Sequence, residues 1–268
     1  MPGGLKLLHG WPAVVVEKPV KTLIVSDVHF GFEAELAEKG IRVPSQTRRL
    51  KDRLIEAVKM VDARRMIFLG DLKHMVPLSS RIEWREMPRA LEELRDLGVE
   101  LVLIPGNHDG DIERILGDLL RYEDSRGVLL EAEKKLYLLH GHTRPSPQVL
   151  ESEIIIMGHL HPVVSLRTDL GLIVRRRIWL YARGDKRVLA EKLGLRAGRR
   201  GRIDLLVVPA FNPILTGMSV NSSPPREKLW PLVKSGAFDL DRAEAITLYG
   251  ERLGSIRQLR RALGGCEA

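Results

Sequence analysis

The 268-residue chain predicts an α/β fold in which a strand-rich second half adds a second sheet to the first. Three short runs, Thr22–Val25 (TLIV), Met66–Leu69 (MIFL) and Leu101–Ile104 (LVLI), are apolar along their length, as parallel strands are when helices cover both faces. The segments between them space their apolar residues as helices do. Beyond residue 120 the apolar runs crowd together, leaving little room for crossover helices.

In chain order, residues 46–62 put Leu50, Leu54, Ile55 and Val58 on one helical face. Residues 83–97 put Leu91, Leu94 and Leu97 on one side, and Gly98 is a plausible stop. A short helix covers 112–120. Val128–Ala132, Lys135–Leu139 and Ile154–Met157 read as strands, as do Leu205–Val208 and, less strongly patterned, Ala243–Leu248. Residues 172–181 (LIVRRRIWLY) read as one or two more. Residues 219–228 (SVNSSPPREK) form a polar loop, and 255–263 (SIRQLRRAL) a terminal helix with Ser255 as its N-cap. This pattern is equally compatible with an open, doubly wound sheet.

Composition narrows the class. No uncharged apolar run reaches 18 residues, so no membrane span is expected. The start, MPGGLKLLHGWPAVVVEKP, has neither a clean apolar stretch nor a small-residue cleavage site, and is expected to be mature sequence. The single cysteine, Cys266, can form no internal disulfide and no thiolate metal site, which suits a reducing cytoplasm. The net charge of +8, from 43 Lys and Arg against 35 Asp and Glu, favours polyanions, although a solvated basic surface explains it as well.

Seven of the eight histidines lie between residues 29 and 161, nearly all just beyond an apolar run. Side chains beyond the carboxyl ends of α/β strands converge on one crevice. The potential ligands there are Asp27, His29, Asp71, Asn107, His140, His159 and His161: two carboxylates, an amide and four imidazoles, without sulfur. Taken singly, each has a bland explanation as a turn, a cap or a half-buried histidine, and GNHDGD alone would be a turn. Together they are more than one metal needs and suit two metals sharing a carboxylate. Asp71, which ends a central strand between the Asp27/His29 pair and Asn107, is the expected bridge. Two metals roughly 3.5–4 Å apart suit in-line displacement at phosphorus. Mixed nitrogen and oxygen ligands suit Mn, with Fe, Zn, Ni or Co as alternatives, and argue against calcium.

The ordered motifs D-x-H at 27–29, G-D at 70–71, G-N-H-D at 106–109, H-G-H at 140–142 and G-H-x-H at 158–161 resemble the calcineurin-like metallophosphoesterase superfamily over roughly residues 20–215. GDLKH at 70–74, GHLHP at 158–162 and VVPAFNP at 207–213 are similar to its ICC-like phosphoesterase branch, which includes bacterial and archaeal proteins associated with a DNA ligase and a helicase. The resemblance implies a four-layer αββα sandwich of two mixed β-sheets flanked by helices. It implies a metallophosphoesterase domain over 1–215 and a C-terminal extension over 216–268 packed on the same domain.

It also implies roles. Asp27, His29, Asp71 and His161 would hold one metal, and Asp71, Asn107, His140 and His159 the other. His108 would face the scissile phosphate, with Asp109 orienting it and supporting its protonated form. His74 and His142 would touch substrate or flank the ligands, and Lys73 would be a surface residue. The implied activity is hydrolysis of phosphodiester bonds, in DNA, RNA or nucleotides, by a hydroxide between the metals, with DNA-repair proteins as partners. The alternatives are a phosphomonoesterase of nucleotide-like compounds and an inactive metal-binding scaffold.

The segment Arg167–Arg202 holds twelve Lys or Arg against three Asp or Glu. It would either line a nucleic-acid backbone, with one arginine turned inward as a phosphate clamp, or be a solvated strand edge. Only Trp179 and Tyr181 interrupt it as aromatics, few for a single-strand groove.

Overall fold

The computed structural model describes residues 5–76, 80–195, 201–222 and 231–264. Arg199, Arg200, Cys266 and most of the 219–228 loop lie outside the described residues. The first half contains β1 (Leu5–Leu7), β2 (Val14–Val16), β3 (Thr22–Val25), α1 (Phe32–Glu38), α2 (Thr47–Val61), β4 (Arg65–Leu69), α3 (Arg81–Arg95), β5 (Glu100–Ile104), α4 (Glu113–Leu116) and β6 (Arg121–Tyr122). Its six strands form one sheet in the order β1-β2-β3-β4-β5-β6. From β3 to β6 the neighbours are parallel, while β1 and β2 add an antiparallel edge.

The second half contains β7 (Val128–Glu131), β8 (Lys135–Leu139), β9 (Ile154–Met157), β10 (Pro162–Arg167), β11 (Ile173–Asp185), α5 (Lys186–Lys192), β12 (Arg202–Val207), β13 (Met218–Ser219), α6 (Pro231–Lys234), β14 (Glu244–Thr247), β15 (Arg252–Ser255) and α7 (Ile256–Ala262). Its main sheet runs β13-β10-β11-β12-β9-β8-β7, with β14 paired to β11 and β15 to β14. Here β8, β9 and β12 are mutually parallel and β11 is antiparallel to its neighbours.

Strand alternation builds the layers. Ile24, Ile67, Leu69, Val102 and Ile104 of the first sheet face Leu138, Ile156, Trp179 and Leu206 of the second. The intervening residues Leu23, Val25, Met66, Phe68, Leu101 and Leu103 face Leu50 and Leu54 of α2 and Leu91 and Leu94 of α3. On the far side Tyr137, Ile155, Leu180 and Leu205 pack with Leu189 of α5 and with Ile256 and Leu259 of α7. The result is a four-layer αββα sandwich, which distinguishes it from a single open sheet. Ser255 caps α7 with a reciprocal Gln258 contact. No helix among the described residues is long and apolar enough to cross a membrane.

Some boundaries differ from the sequence expectation. α3 starts earlier because Ser80 and Glu83 form a capping box, and it ends at Arg95. Leu97 therefore lies past the helix, in the turn into β5, and is 38% exposed rather than aligned with Leu91 and Leu94. Residues 173–181 of the 172–181 segment belong to one longer strand, β11, whose residues 173–177 pair with β10 and 180–185 with β12. The strands β1, β2, β6, β10, β13 and β15 and the helices α1, α5 and α6 have no counterpart in the sequence reading.

Candidate metal centre

The parallel strands β3, β4 and β5 end on the same side of the first sheet, and β8 and β9 bring the second sheet to the same place. Gly158, after β9, is what lets them meet: a Cβ there would lie 1.7 Å from Ser26 Oγ and 2.8 Å from Asp27 Oδ2. The His159 amide donates to Asp27 Oδ2 at 3.1 Å, tying the two sheets at the crevice.

Asp27, His29, Asp71, His159 and His161 have φ of 57°, 45°, 51°, 69° and 43°. They are five of the seven non-glycine residues with positive φ among those described. A left-handed side-chain-bearing residue costs about 1–3 kcal/mol and persists only where its surroundings enforce it. Such strain concentrated on one set of donors marks a functional site.

The potential donors form three groups, one of them His29, His74 and His108. Asp27, His29, Asp71 and His161 offer ligand atoms within 4.8 Å of one another, and so do Asp71, His140 and His159. Asp71 belongs to both of these. Its Oδ2 lies 3.4 Å from His29 Nε2 and 3.2 Å from His140 Nε2, while its Oδ1 accepts the His108 amide at 2.9 Å. Asn107 stands exposed beside His108 on the loop after β5.

These atoms fit divalent cations. His29 Nε2 is buried without a hydrogen-bond partner, and so is His161 Nε2, although the latter lies 3.0 Å from Asp27 Oδ1. His159 Nδ1 and His140 Nε2 meet at 3.0 Å. Buried imidazole nitrogens aimed at carboxylate oxygens without hydrogen-bond geometry are costly unless a cation joins them. With nitrogen and oxygen donors only, the set suits transition metals.

Charge states follow from burial and proximity. Burial pushes the carboxyls of Asp27 and Asp71 up, but His161 beside the one and His140 and His29 beside the other hold both below the ordinary range. Burial holds His29 down at about 3, and burial together with His140 does the same for His159. His140 rises to about 9 because Asp71 outweighs its burial, and Asp27 raises His161 in the same way.

His74 is the hub behind these donors. Its Nδ1 lies 2.9 Å from His29 Nδ1, and its Nε2 meets the Glu35 carboxylate of α1. If His29 presents its Nε2 lone pair to the cluster, its proton sits on Nδ1 and is donated to His74 Nδ1. His74 then carries its proton on Nε2 and donates it to Glu35. Each tautomer in the chain is fixed by the next partner. The backbone of this loop is held as well: the His74 and Met75 amides both donate to Glu83 Oε1 at 2.7 Å.

Two expectations need correction. The Asp109 carboxylate does not orient His108. It accepts backbone amides from Leu72, Lys73 and Gly106 at 2.9, 3.2 and 2.8 Å, so it clamps the β4 and β5 loops together. Burial and the nearby Asp71 charge push it up to about 6. His108 Nδ1 instead donates to the His74 carbonyl. Lys73 is not a surface residue: it is fully buried, and its Nζ donates to the Met75 carbonyl. His142 flanks the group of Asp71, His140 and His159 at 5.4 Å between ring centroids from His140. Its Nδ1 is buried without a partner, and burial holds it down at about 4.

Sequence reasoning missed Glu35, Glu83 and Asn212. Asn212 Nδ2 donates to the Val28 carbonyl at 3.0 Å and supports the Asp27 loop. The S-x-x-E spacing of Ser80 and Glu83 was a readable signal; for Glu35 there was none.

A two-sheet sandwich carrying carboxylate and imidazole groups joined through one aspartate defines a metal-dependent phosphoesterase. The calcineurin-like phosphoesterase superfamily domain matches residues 20–178, more than half of the chain, and the protein belongs to that superfamily. Among solved structures, a Pseudomonas putida nuclease, MPE, is similar with 22% identity and a TM-score of 0.50, over 80% of this chain and 84% of that one. Yfce, a phosphoesterase from E. coli, is 16% identical with a TM-score of 0.38, over 87% and 96%. Zinc-complexed Vps29 from Entamoeba histolytica is 13% identical with a TM-score of 0.33, over 73% and 79%. At these identities the likeness is one of fold. No curated protein matches the chain.

Proposed function

We propose that the protein hydrolyses phosphodiester bonds, in nucleic acids or nucleotides, using two divalent transition-metal ions, with manganese the first choice. The GDLKH, GHLHP and VVPAFNP motifs favour the ICC-like branch of the superfamily. The observation that carries the reading is Asp71, whose Oδ2 faces His29 on one side and His140 on the other. Asp27, His29, Asp71 and His161 would hold one ion, and Asp71, Asn107, His140 and His159 the other. When bound, two such ions supply a nucleophile from water at neutral pH and offset charge on the phosphoryl group.

The chain's own residues do the rest. The His108 amide holds Asp71 Oδ1, leaving Oδ2 for the metals. His108 anchors its Nδ1 on the His74 carbonyl, which leaves Nε2 to face the phosphate. A proton on Nε2 makes it a donor to a phosphoryl or leaving oxygen.

The test is to strip the protein with chelator and restore Mn, Ni, Co, Zn, Mg or Ca singly. Bis(p-nitrophenyl) phosphate and p-nitrophenyl phosphate are then assayed beside Asp71→Asn. Diester hydrolysis that needs a transition metal and is lost in Asp71→Asn is expected. Monoester hydrolysis alone makes the protein a phosphomonoesterase. No turnover with two ions bound per chain overturns the proposal.

A further inference from the structure

β11 leaves the β10 pairing and enters the β14 pairing between Arg177, opposite Val163, and Ile178, opposite Thr247. At this junction lies a groove of about 610 Å³. Arg175, Arg176 and Arg177 line it together with Ile214, Leu215 and Tyr249. Among the described residues, Glu251 is the only carboxylate in its lining.

The groove adjoins the metal centre through the backbone. Val163, in its wall, follows His161 by two residues. Gly217, also in its wall, passes so close that a Cβ would lie 2.1 Å from the His161 carbonyl oxygen, and Met218 donates its amide to that oxygen at 3.0 Å. On the other flank, Arg177 Nη1 donates to the carbonyls of Ala210 and Phe211 at 3.0 and 3.5 Å. The Phe211 amide in turn donates to the Ser26 carbonyl.

The arginines carry positive charge without acidic partners. No carboxylate among the described residues pairs with Arg175, Arg176 or Arg177. Arg177 is half-buried, and burial and the neighbouring Arg53 hold its guanidinium below the ordinary range. Arg53 itself rests on rings, 4.5 Å from the Trp11 centroid and 5.4 Å from that of Phe211. Guanidinium groups crowded beside a phosphoester site and matched by carbonyls and rings leave their charge free for an anion.

We propose that this groove binds the backbone of a single-stranded nucleic acid next to the scissile phosphate, with Arg175, which shares a strand face with Arg177, on a phosphate and Tyr249 under a base. The proposal rests on the phosphodiesterase reading and narrows its substrate to a polymer. A single strand fits because a concave groove accepts a chain that bends, and because its lining adds apolar residues and one aromatic to the arginines. Tyr249 is 64% exposed and sits edge-on to His9, so its ring is open to stacking. It supplies the exposed aromatic that the 167–202 segment lacks, since Trp179 and Tyr181 there are both buried.

The test uses metal-loaded protein and a short, labelled phosphorothioate oligodeoxythymidylate that resists cleavage, titrated from about 50 to about 200 mM salt. The comparison variant is Arg175→Ala, accepted only if it retains two metal ions per chain. Each lost contact to a single strand removes about 0.7 from the slope of log K against log salt, so the slope should fall by about 0.7, with weaker binding throughout. Unchanged affinity and slope in the variant overturn the proposal. A duplex of the same length that binds as well as the single strand, and loses as much in the variant, overturns the single-strand assignment. Wild-type protein that hydrolyses the small diester without binding the oligonucleotide refutes the groove and leaves the phosphodiesterase standing. Failure of both assays removes both.

Discussion

Glu35 never reaches the metal cluster, yet it sets which nitrogen two imidazoles offer. It accepts from His74 Nε2, which leaves His74 Nδ1 to accept from His29 and leaves His29 Nε2 for a cation. Partners one step behind a ligand usually contribute 10–100-fold in metal affinity. Glu35→Leu should therefore weaken binding at the His29 site by about that factor, read by competition with a chromophoric chelator. Glu35 also pairs with Lys39, so a second variant is needed. Glu35→Gln loses the ion pair but keeps an oxygen for His74, and should recover most of the affinity. Equal affinities in all three proteins would sink the relay. The clustering of the candidate donors Asp27, His29, Asp71, His140, His159 and His161 was legible because each sits within a few residues of a strand end, in a short ordered motif. Glu35 was not, because a glutamate on a helix of seven residues has no local pattern to set it apart. Asp109 was misread for a related reason: adjacency to His108 in sequence suggested a contact, while the folded loops offered its oxygens three amides first.

At the scale of elements, the centre depends on how closely β9 can bring its loop to β3. Gly158 sets that distance, and the nearest obstacle to any side chain there is Ser26. Gly158→Ala must push the His159 loop from Asp27, breaking the amide contacts to its carboxylate. The expected effect is overpacking of about 1–3 kcal/mol, seen as a lower Tm, together with loss of metal at both sites. Adding Ser26→Gly removes both Ser26 atoms in the clash and should return part of the Tm and of the metal content. A Gly158→Ala protein with full metal content would show that the loop tolerates the shift. The apolar strands and long helices around this contact were readable from period and length. The strands β1, β2 and β13, of three, three and two residues, were not, because so few positions show no alternation. They owe their pairing to neighbours already in place.

For the whole molecule, stability, metal and protons are linked through the same buried histidines. His140 rises from 6.5 to about 9 in the metal-free fold because Asp71 faces it. The folded state then binds a proton more tightly than the unfolded chain. That contribution is fully present below pH 6.5 and is lost as pH rises through about 9. His161, raised by Asp27, acts in the same direction. A cation at His140 takes the position of that proton, so loading near neutral pH must release it. Raising the pH from 6.5 toward 9 should therefore lower the Tm of the chelator-stripped protein and raise metal affinity. With metal at a hundredfold excess over Kd, each site adds about 2.7 kcal/mol, several degrees in Tm for a chain of this size. The gap between stripped and loaded protein should widen across that interval. Calorimetric titration in buffers of different ionisation enthalpy should show proton release on loading at pH 7 that disappears above pH 9. Loading without proton release at pH 7 would mean that His140 is already neutral and that Asp71 does not face it as a charge.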